Sequence, residues 1–231
     1  MLQFSPGTLS VVVPTLDEAA ALPATLAAAR QPGVAEIIVV DGGSRDGTLA
    51  AARPLADRVL EVPRGRAQQM NAGAAAARGD VLLFLHADTR LPAGFAQAIA
   101  RALADPAVVG GRFDVRLDAA GLAYHIIGRL ISLRSRLTCV ATGDQAIFVR
   151  REAFERVGRY PPVPLMEDIA LCRALKRAGR IACLAETVTT SARRWQRRGV
   201  VRTVLLMWCL RTAYYVGVSP ARLARLYRDA R

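Results

Sequence analysis

Two acidic positions stand where an apolar run gives out. Asp41 follows Glu36-Ile37-Ile38-Val39-Val40 and opens the loop Gly42-Gly43-Ser44-Arg45-Asp46-Gly47, and Asp88 comes two residues after His86 at the end of Val81-Leu82-Leu83-Phe84-Leu85. A carboxylate at a strand end can accept a hydrogen bond from a nucleobase imide or a ribose hydroxyl. Asp46, deeper in the loop, is better suited to capping a helix or turn than Asp41 is. In an extended segment side chains two apart leave the same side of the backbone, so His86 and Asp88 share a face. A hard cation such as Mg²⁺ or Mn²⁺ takes one or two carboxylates together with phosphate oxygens. Asp88 with a diphosphate meets that need, and His86 offers a second ligand or a donor to phosphate. An equally simple account makes Asp88 the cap before Leu91-Pro92.

The elements that must position these groups alternate with a regular beat. Strand signals cover Leu9–Pro14, Glu36–Val40, Arg58–Val62 and Val81–Leu85, and helix signals cover about 17–30, 48–54, 67–78 and 93–104. Continuous apolar strands interleaved with helices predict a mostly parallel α/β sheet covered on both faces. Ligands in such sheets sit beyond the carboxyl ends of the strands, which gathers Asp17, Asp41, Gly65-Arg66 and His86-Asp88 on one edge. The second half is less regular. A strand is expected over 108–117, broken by Gly110-Gly111, then a helix over 122–134, a strand over 145–149, a helix over 167–178 and an extended stretch at 187–190. Helices over 200–216 and 220–228 close the chain. The reading is one catalytic domain, 1–198, with basic amphipathic C-terminal helices, 199–231, that could supply a dimer face.

Of the 231 residues 52% are hydrophobic and 6% aromatic, enough for a substantial core. The uncharged stretch Thr203–Leu210, fenced by Arg202 and Arg211, falls far short of the roughly 20 residues a spanning helix needs. The first ten residues lack a basic segment before an apolar run, so a cytoplasmic protein without a signal peptide is expected. Cys139, Cys172, Cys183 and Cys209 lie far apart without metal-ligand spacing, which predicts reduced and mostly buried thiols. The net charge is +13, and residues 193–231 hold ten arginines against one acid. Such a cluster suits polyanions, whether nucleic acid, an anionic membrane or phosphorylated small molecules. A nucleic-acid-binding module is disfavoured, because no base-stacking aromatic array accompanies the charge. The glycine-rich loop after Asp41 is not GxGxxG and no GxxxxGK[ST] occurs, so dinucleotide and P-loop binding lack support.

The order of motifs resembles family-2 glycosyltransferases of the GT-A fold. VVVPTLDE (Val11–Glu18), IVVDGGSRDGT (Ile38–Thr48), GRAQQMNAGAAAARG (Gly65–Gly79), LFLHADT (Leu83–Thr89), Gly143-Asp144-Gln145, Met166-Glu167-Asp168 and Arg193-Arg194-Trp195 carry the likeness. It implies a GT-A (Rossmann-like) sheet with a helical C-terminal extension, and inverting transfer of a sugar from a nucleotide diphosphate donor, most often a UDP-sugar. It assigns Pro14, Thr15 and Glu18 to the nucleoside pocket, Asp41 to the uracil, and Arg66 and Asn71 to base or diphosphate. Gly43, His86 and Ala87 would join the donor site and Asp88 would hold a divalent cation, Mg²⁺ or Mn²⁺. Asp168 matches the general base, with Glu167 beside it. Gly143, Asp144 and Gln145 fall on the acceptor side, and Arg193, Arg194 and Trp195 would close over diphosphate and acceptor. The family commonly has an Asp where His86 stands, which leaves cation dependence open.

A narrower likeness, to compact family-2 transferases without membrane spans associated with selenium metabolism, rests on GRAQQMNAGAAAARGD, LHADT and the RRWQRRGVVRT…YYVGVSPARLARLYR tail. It implies selenophosphate attacking a UDP-N-acetylhexosamine with release of UDP, phosphate then being lost to give a selenosugar, and a small anionic acceptor ringed by Arg112, Arg193, Arg194 or Arg197. The alternative acceptor is a lipid. Trp208, Tyr214 and Tyr215 among Leu and Val, with flanking arginines, suit a helix lying on an anionic membrane and delivering a polyprenyl phosphate or glycolipid. Against that stands the simpler expectation that this helix buries its apolar face on the catalytic domain.

Overall fold

In the computed structural model, which describes residues 9–229, the first half follows the expected alternation: β1 (Leu9–Thr15), α1 (Leu22–Ala29), β2 (Val34–Asp41), α2 (Thr48–Ala52), β3 (Arg58–Glu61), α3 (Arg66–Ala76), β4 (Val81–Phe84), a two-residue β5 (Thr89–Arg90) and α4 (Phe95–Leu103). There follow β6 (Val108–Asp118), α5 (Leu122–Thr138), a 3₁₀ turn at Gly143–Gln145, β7 (Ile147–Arg150), α6 (Arg151–Arg156), α7 (Glu167–Ala178), β8 (Arg180–Ser191), α8 (Arg193–Arg198), α9 (Val200–Tyr215) and α10 (Pro220–Asp229). The eight strands form one sheet in the order β3-β2-β1-β4-β7-β6-β8-β5. β1 pairs in parallel with β2 and β4, β2 with β3, and β6 with β8, while β7 and β5 run against their neighbours. This is the mostly parallel α/β sheet expected.

Alternation along each central strand feeds two cores. Val11, Val13, Ile37, Val39, Val81 and Leu83 face Leu22 and Leu26 of α1 and Phe95 and Ile99 of α4. Val12, Ile38, Val40, Leu82 and Phe84 face Met70 and Ala74 of α3, Phe154 of α6 and Leu171 of α7. At about 25 cal/mol per Å² of apolar surface removed from water, two such faces supply the main driving force for the sheet.

Several boundaries differ from expectation. α1 starts at Leu22 rather than near Asp17, because residues 17–21 are held as a turn. Asp17 has a positive φ of 54° and its carboxylate accepts from the Arg45 amide, so the start of this segment is tied to a neighbouring loop. The extended stretch at 187–190 is the end of a 12-residue strand, β8, paired along β6. β6 passes unbroken through Gly110-Gly111, because a Cβ at Gly110 would lie 2.5 Å from the Phe148 carbonyl and one at Gly111 2.4 Å from the Ala182 carbonyl. Those glycines allow strand approach rather than marking a break. Of the four free thiols only Cys172 is buried, and Cys209 is exposed.

The C-terminal helices dock on the sheet domain only in part. Leu206, Met207 and Leu210 of α9 and Leu223 of α10 pack with Ile147, Met166, Ile169 and Cys172. Val201, Leu205, Trp208 and Tyr215 of α9 point to solvent, with Trp208 71% exposed, so the helix does not bury its apolar residues as a set. α5 behaves likewise: Leu122, Ile126, Leu130, Leu133 and Leu137 form an outward stripe at helical spacing. Among the described residues no helix is long and apolar enough to cross a membrane.

Candidate active site

The carboxyl ends of β1, β2 and β4 lie side by side, with Thr15 opposite Asp41 in the register. Two loops leave this edge and lock together. The Asp17 amide donates to Ser44 Oγ at 2.9 Å, the Glu18 amide to Thr48 Oγ1 at 2.9 Å and the Ala19 amide to Asp46 Oδ2 at 3.1 Å. Gln69 of α3 reaches beneath them and donates to the carbonyls of Thr15 at 2.8 Å and Val40 at 2.9 Å, which ties α3 to both strand ends. Gln69 was missed as a site residue, and the only signal the sequence carried for it is a polar side chain in a helix that ends in a run of alanines.

Asp41 lies one layer below the surface and is fully buried. Its Oδ1 accepts from Thr15 Oγ1 at 3.2 Å and Ser44 Oγ at 2.5 Å, and its Oδ2 from the amides of Gly43 and Ser44, both at 2.8 Å. In this structure the carboxylate organises the loop, and a nucleobase reaches it only in exchange for a hydroxyl contact. Asn71 is likewise spent, donating to the Tyr160 carbonyl at 2.9 Å and accepting from the Tyr160 amide at 3.1 Å. Gln145 is fully buried and donates to the Phe113 carbonyl and Ser135 Oγ. The Ala87 side chain sits in the core while its carbonyl accepts from Thr25 Oγ1. Asn71, Gln145 and Ala87 thus do not present their side chains to a ligand.

Glu18, Asp88 and Arg193 form the exposed acidic end of the site. The Arg193 guanidinium donates to both Glu18 oxygens, at 2.9 and 2.6 Å, and to Asp88 Oδ2 at 3.2 Å. Burial pushes the Glu18 carboxyl up, and Arg193 pulls it back down. A single fixed cation thus bridges the two carboxylates and offsets part of their charge. Among the described residues no group of three or more His, Cys, Asp or Glu is arranged to hold a metal. The donor set fits a cation carried largely by phosphate oxygens with Asp88 as the protein ligand.

A crevice next to this end is lined by Pro14, Arg66, His86, Gly143, Glu167 and Asp168. His86 Nε2 is buried without a hydrogen-bond partner. Burial, then the charges of Arg66 and Arg194, hold the ring well below the usual histidine pKa, so it is neutral. Gly143 must lack a side chain, because a Cβ there would lie 2.1 Å from His86 Nε2. Glu167 and Asp168 occupy the first turn of α7, where the helix dipole favours negative charge. Asp168 Oδ2 accepts from the Gly143 amide at 2.9 Å and Oδ1 from the Ile169 amide at 2.7 Å. Glu167 is buried, and burial with the like charge of Asp168 raises its carboxyl to about 7. Burial also raises Asp168, opposed by its two backbone donors and by Arg66. The exposed Arg66 acts electrostatically on Glu18 as well as on Glu167 and Asp168, linking the two ends of the site. A paired acid with one member near 7 can take up a proton at neutral pH.

The remaining residues divide. Arg194 stacks over the Tyr227 ring at 5.8 Å, and Trp195 packs against Leu117, Ile127 and Ala192. Arg112, expected near an acceptor, is buried and paired with Asp114, away from the crevice. His125 is exposed on α5.

The glycosyl transferase family 2 model matches residues 10–158. Glycosyltransferases described as acting in PGL/p-HBAD biosynthesis in Mycobacterium tuberculosis and Mycobacterium bovis are 36% identical over 166 residues, 65% of this chain and 62% of theirs. The chain thus spans less than two thirds of the length of these relatives. Among solved structures, the mannosyltransferase PcManGT from Pyrobaculum calidifontis, in complex with GDP-Man and Mn²⁺, superposes with a TM-score of 0.66 at 24% identity, covering 91% of this chain and 62% of that one. Glucosyl-3-phosphoglycerate synthase from Mycobacterium tuberculosis, with Mn²⁺, UDP and glucosyl-3-phosphoglycerate, gives 0.59 at 22% identity, covering 80% and 70%. At these identities the structural likeness establishes the fold.

Proposed function

This chain belongs to glycosyl transferase family 2, and from that premise we propose that it transfers a sugar, with inversion, from a UDP-sugar to an anionic acceptor. The observation that carries the reading is the Glu167-Asp168 pair at the head of α7, facing a crevice between Arg66 and His86 at the carboxyl ends of β1 and β4. Pro14, Thr15, Glu18, Asp41, Gly43 and Arg66 form the donor side, with Asp41 holding the loop that carries Gly43. Asp88 would hold a Mg²⁺ or Mn²⁺ ion, which would supply positive charge to the leaving diphosphate. Arg193, paired with Asp88 in this structure, would contribute positive charge at the same end.

The acceptor nucleophile attacks the anomeric carbon from the face opposite the diphosphate. The bond from that carbon to the leaving oxygen breaks, its electron pair departs with UDP, and the acceptor proton passes to the Asp168-Glu167 pair. The Gly143 and Ile169 amides hold Asp168 in place for this. The favoured donor is a UDP-N-acetylhexosamine and the favoured acceptor selenophosphate, on the strength of the motif likeness. Selenium is already a strong nucleophile, so for that acceptor the pair orients more than it deprotonates. Residues 1–198 are the catalytic unit in this reading.

One feature favours a second acceptor, a polyprenyl phosphate at an anionic membrane. The outward leucines of α5 and the exposed Val201, Leu205 and Trp208 of α9 are apolar surface on helices that also carry Arg129 and Arg202, with Arg197 and Arg198 just before α9, a composition that suits interfacial helices. The deciding experiment offers a panel of UDP- and GDP-sugars with selenophosphate, thiophosphate, simple alcohols or polyprenyl phosphate and measures nucleotide release and product. Transfer from a UDP-sugar that is lost in Asp168→Asn while UDP still binds supports the reading. No nucleotide binding by the wild type rejects it.

A further inference from the structure

Two arginines, Arg134 and Arg211, act electrostatically on Asp168 at one end of the crevice and make almost no polar contacts of their own. Arg134 of α5 has one hydrogen bond, a long one of 3.5 Å from Nη2 to Gln145 Oε1, and its Nε is buried with no partner. Arg211 of α9 is half-buried and makes no hydrogen bond or ion pair among the described residues. The charges act on one another, and burial together with Arg211 lowers Arg134 to about 10. Arg211 also acts on Asp168, and Arg134 feels both Asp144 and Asp168, yet neither carboxylate closes an ion pair with either arginine. Asp144 Oδ1 is itself buried without a partner.

Partly buried like charges with a stranded donor are costly to keep unless something completes them. Of the arginines expected near the acceptor, Arg112 is held by Asp114, Arg193 by Glu18 and Asp88 and Arg194 by the Tyr227 ring, while Arg197 is exposed on α8. We propose that Arg134 and Arg211 are the anion-holding half of the acceptor site and take a phosphate-type group beside Gly143, Asp144 and Asp168. The planar Arg134 fork presents Nε and an Nη to two oxygens of one tetrahedral anion, and Arg211 neutralises the rest of its charge. A monoprotonated phosphate also carries the O–H that Asp144 Oδ1 lacks, so the stranded donor and the stranded acceptor are complementary to the same ligand. The site lies on the Asp168 side of the crevice, away from Glu18 and Asp88, which leaves the donor diphosphate its own cations.

This rests on the transferase reading, and the test separates the two. With saturating UDP and Mn²⁺, inorganic phosphate is titrated by calorimetry into the wild type, Arg211→Gln and Arg134→Gln, and UDP affinity is measured independently for each. The expected result is phosphate binding weakened at least about 10-fold in both variants, in line with the loss of a charge-assisted pair, with UDP affinity within about two-fold of wild type. Arg211→Gln removes no hydrogen bond or ion pair among the described residues, so it stays informative if Arg134→Gln unfolds. Unchanged phosphate binding in Arg211→Gln overturns the proposal, as does phosphate that competes with UDP. Failure of the wild type to bind UDP rejects the transferase reading instead. Turnover then identifies the source of the anion. Stimulation by soluble thiophosphate without detergent marks a free anion, and stimulation only by polyprenyl phosphate in micelles marks a lipid headgroup. In either case the variants must lose more rate with the anionic acceptor than with a simple alcohol, and equal losses overturn the assignment.

Discussion

Glu167 offers a measurement in which the electrostatics of the site appear as stability. Its carboxyl is nearly sealed from water, and burial with the Asp168 charge raises it from 4.5 to about 7. At about 1.4 kcal/mol per pH unit the difference is worth ~3 kcal/mol. A carboxyl raised on folding holds its proton more tightly in the folded chain. Its stabilising contribution is therefore complete below about pH 4.5 and is lost as pH rises through about 7. Glu167→Gln keeps the shape and removes the ionisation. The variant should then gain under 1 kcal/mol over wild type near pH 5 and about 3 kcal/mol above about pH 8.5, where the wild type must bury a charge beside Asp168. Urea unfolding of both proteins at the two pH values reads this, because effects common to both chains cancel in the difference. A gain that is the same at both values, within about 0.5 kcal/mol, refutes the placement of Glu167 as a buried partner of Asp168.

Three further outcomes follow from other parts of the site. Asp88→Ala should abolish the part of UDP affinity that Mn²⁺ adds, about 10-fold or more, while leaving metal-free affinity intact; calorimetry with and without the ion shows whether that part survives. Gly143→Ala must displace the His86 ring, so stability should fall by about 1–3 kcal/mol and transfer rate should drop more than UDP affinity, as unfolding and steady-state kinetics would reveal. Leu130→Glu combined with Trp208→Glu should eliminate co-sedimentation with anionic vesicles at about 0.15 M salt; retention of the double variant, or no wild-type binding at that salt, removes the membrane reading.

The local sequence was enough for the central sheet and for its ligand-facing edge. Valine and isoleucine runs such as Val11–Val13 and Ile37–Val40 have to be buried on both faces, and a doubly covered parallel sheet is the packing that achieves it. Asp41, His86 and Asp88 fell on that edge because a strand end is a local property. Whether each group is free or spent was not local. Asn71 pairs with Tyr160, 89 residues away, Gln69 spans two strands, and Arg193 reaches Glu18 across 175 residues. Hydrogen-bond satisfaction is settled between segments, and residue type does not reveal it. The same holds for charge. The sequence shows many arginines, and only the tertiary structure brings Arg134 and Arg211 within electrostatic reach of each other with no ion pair among the described residues, because burial and distance decide which charges remain uncompensated.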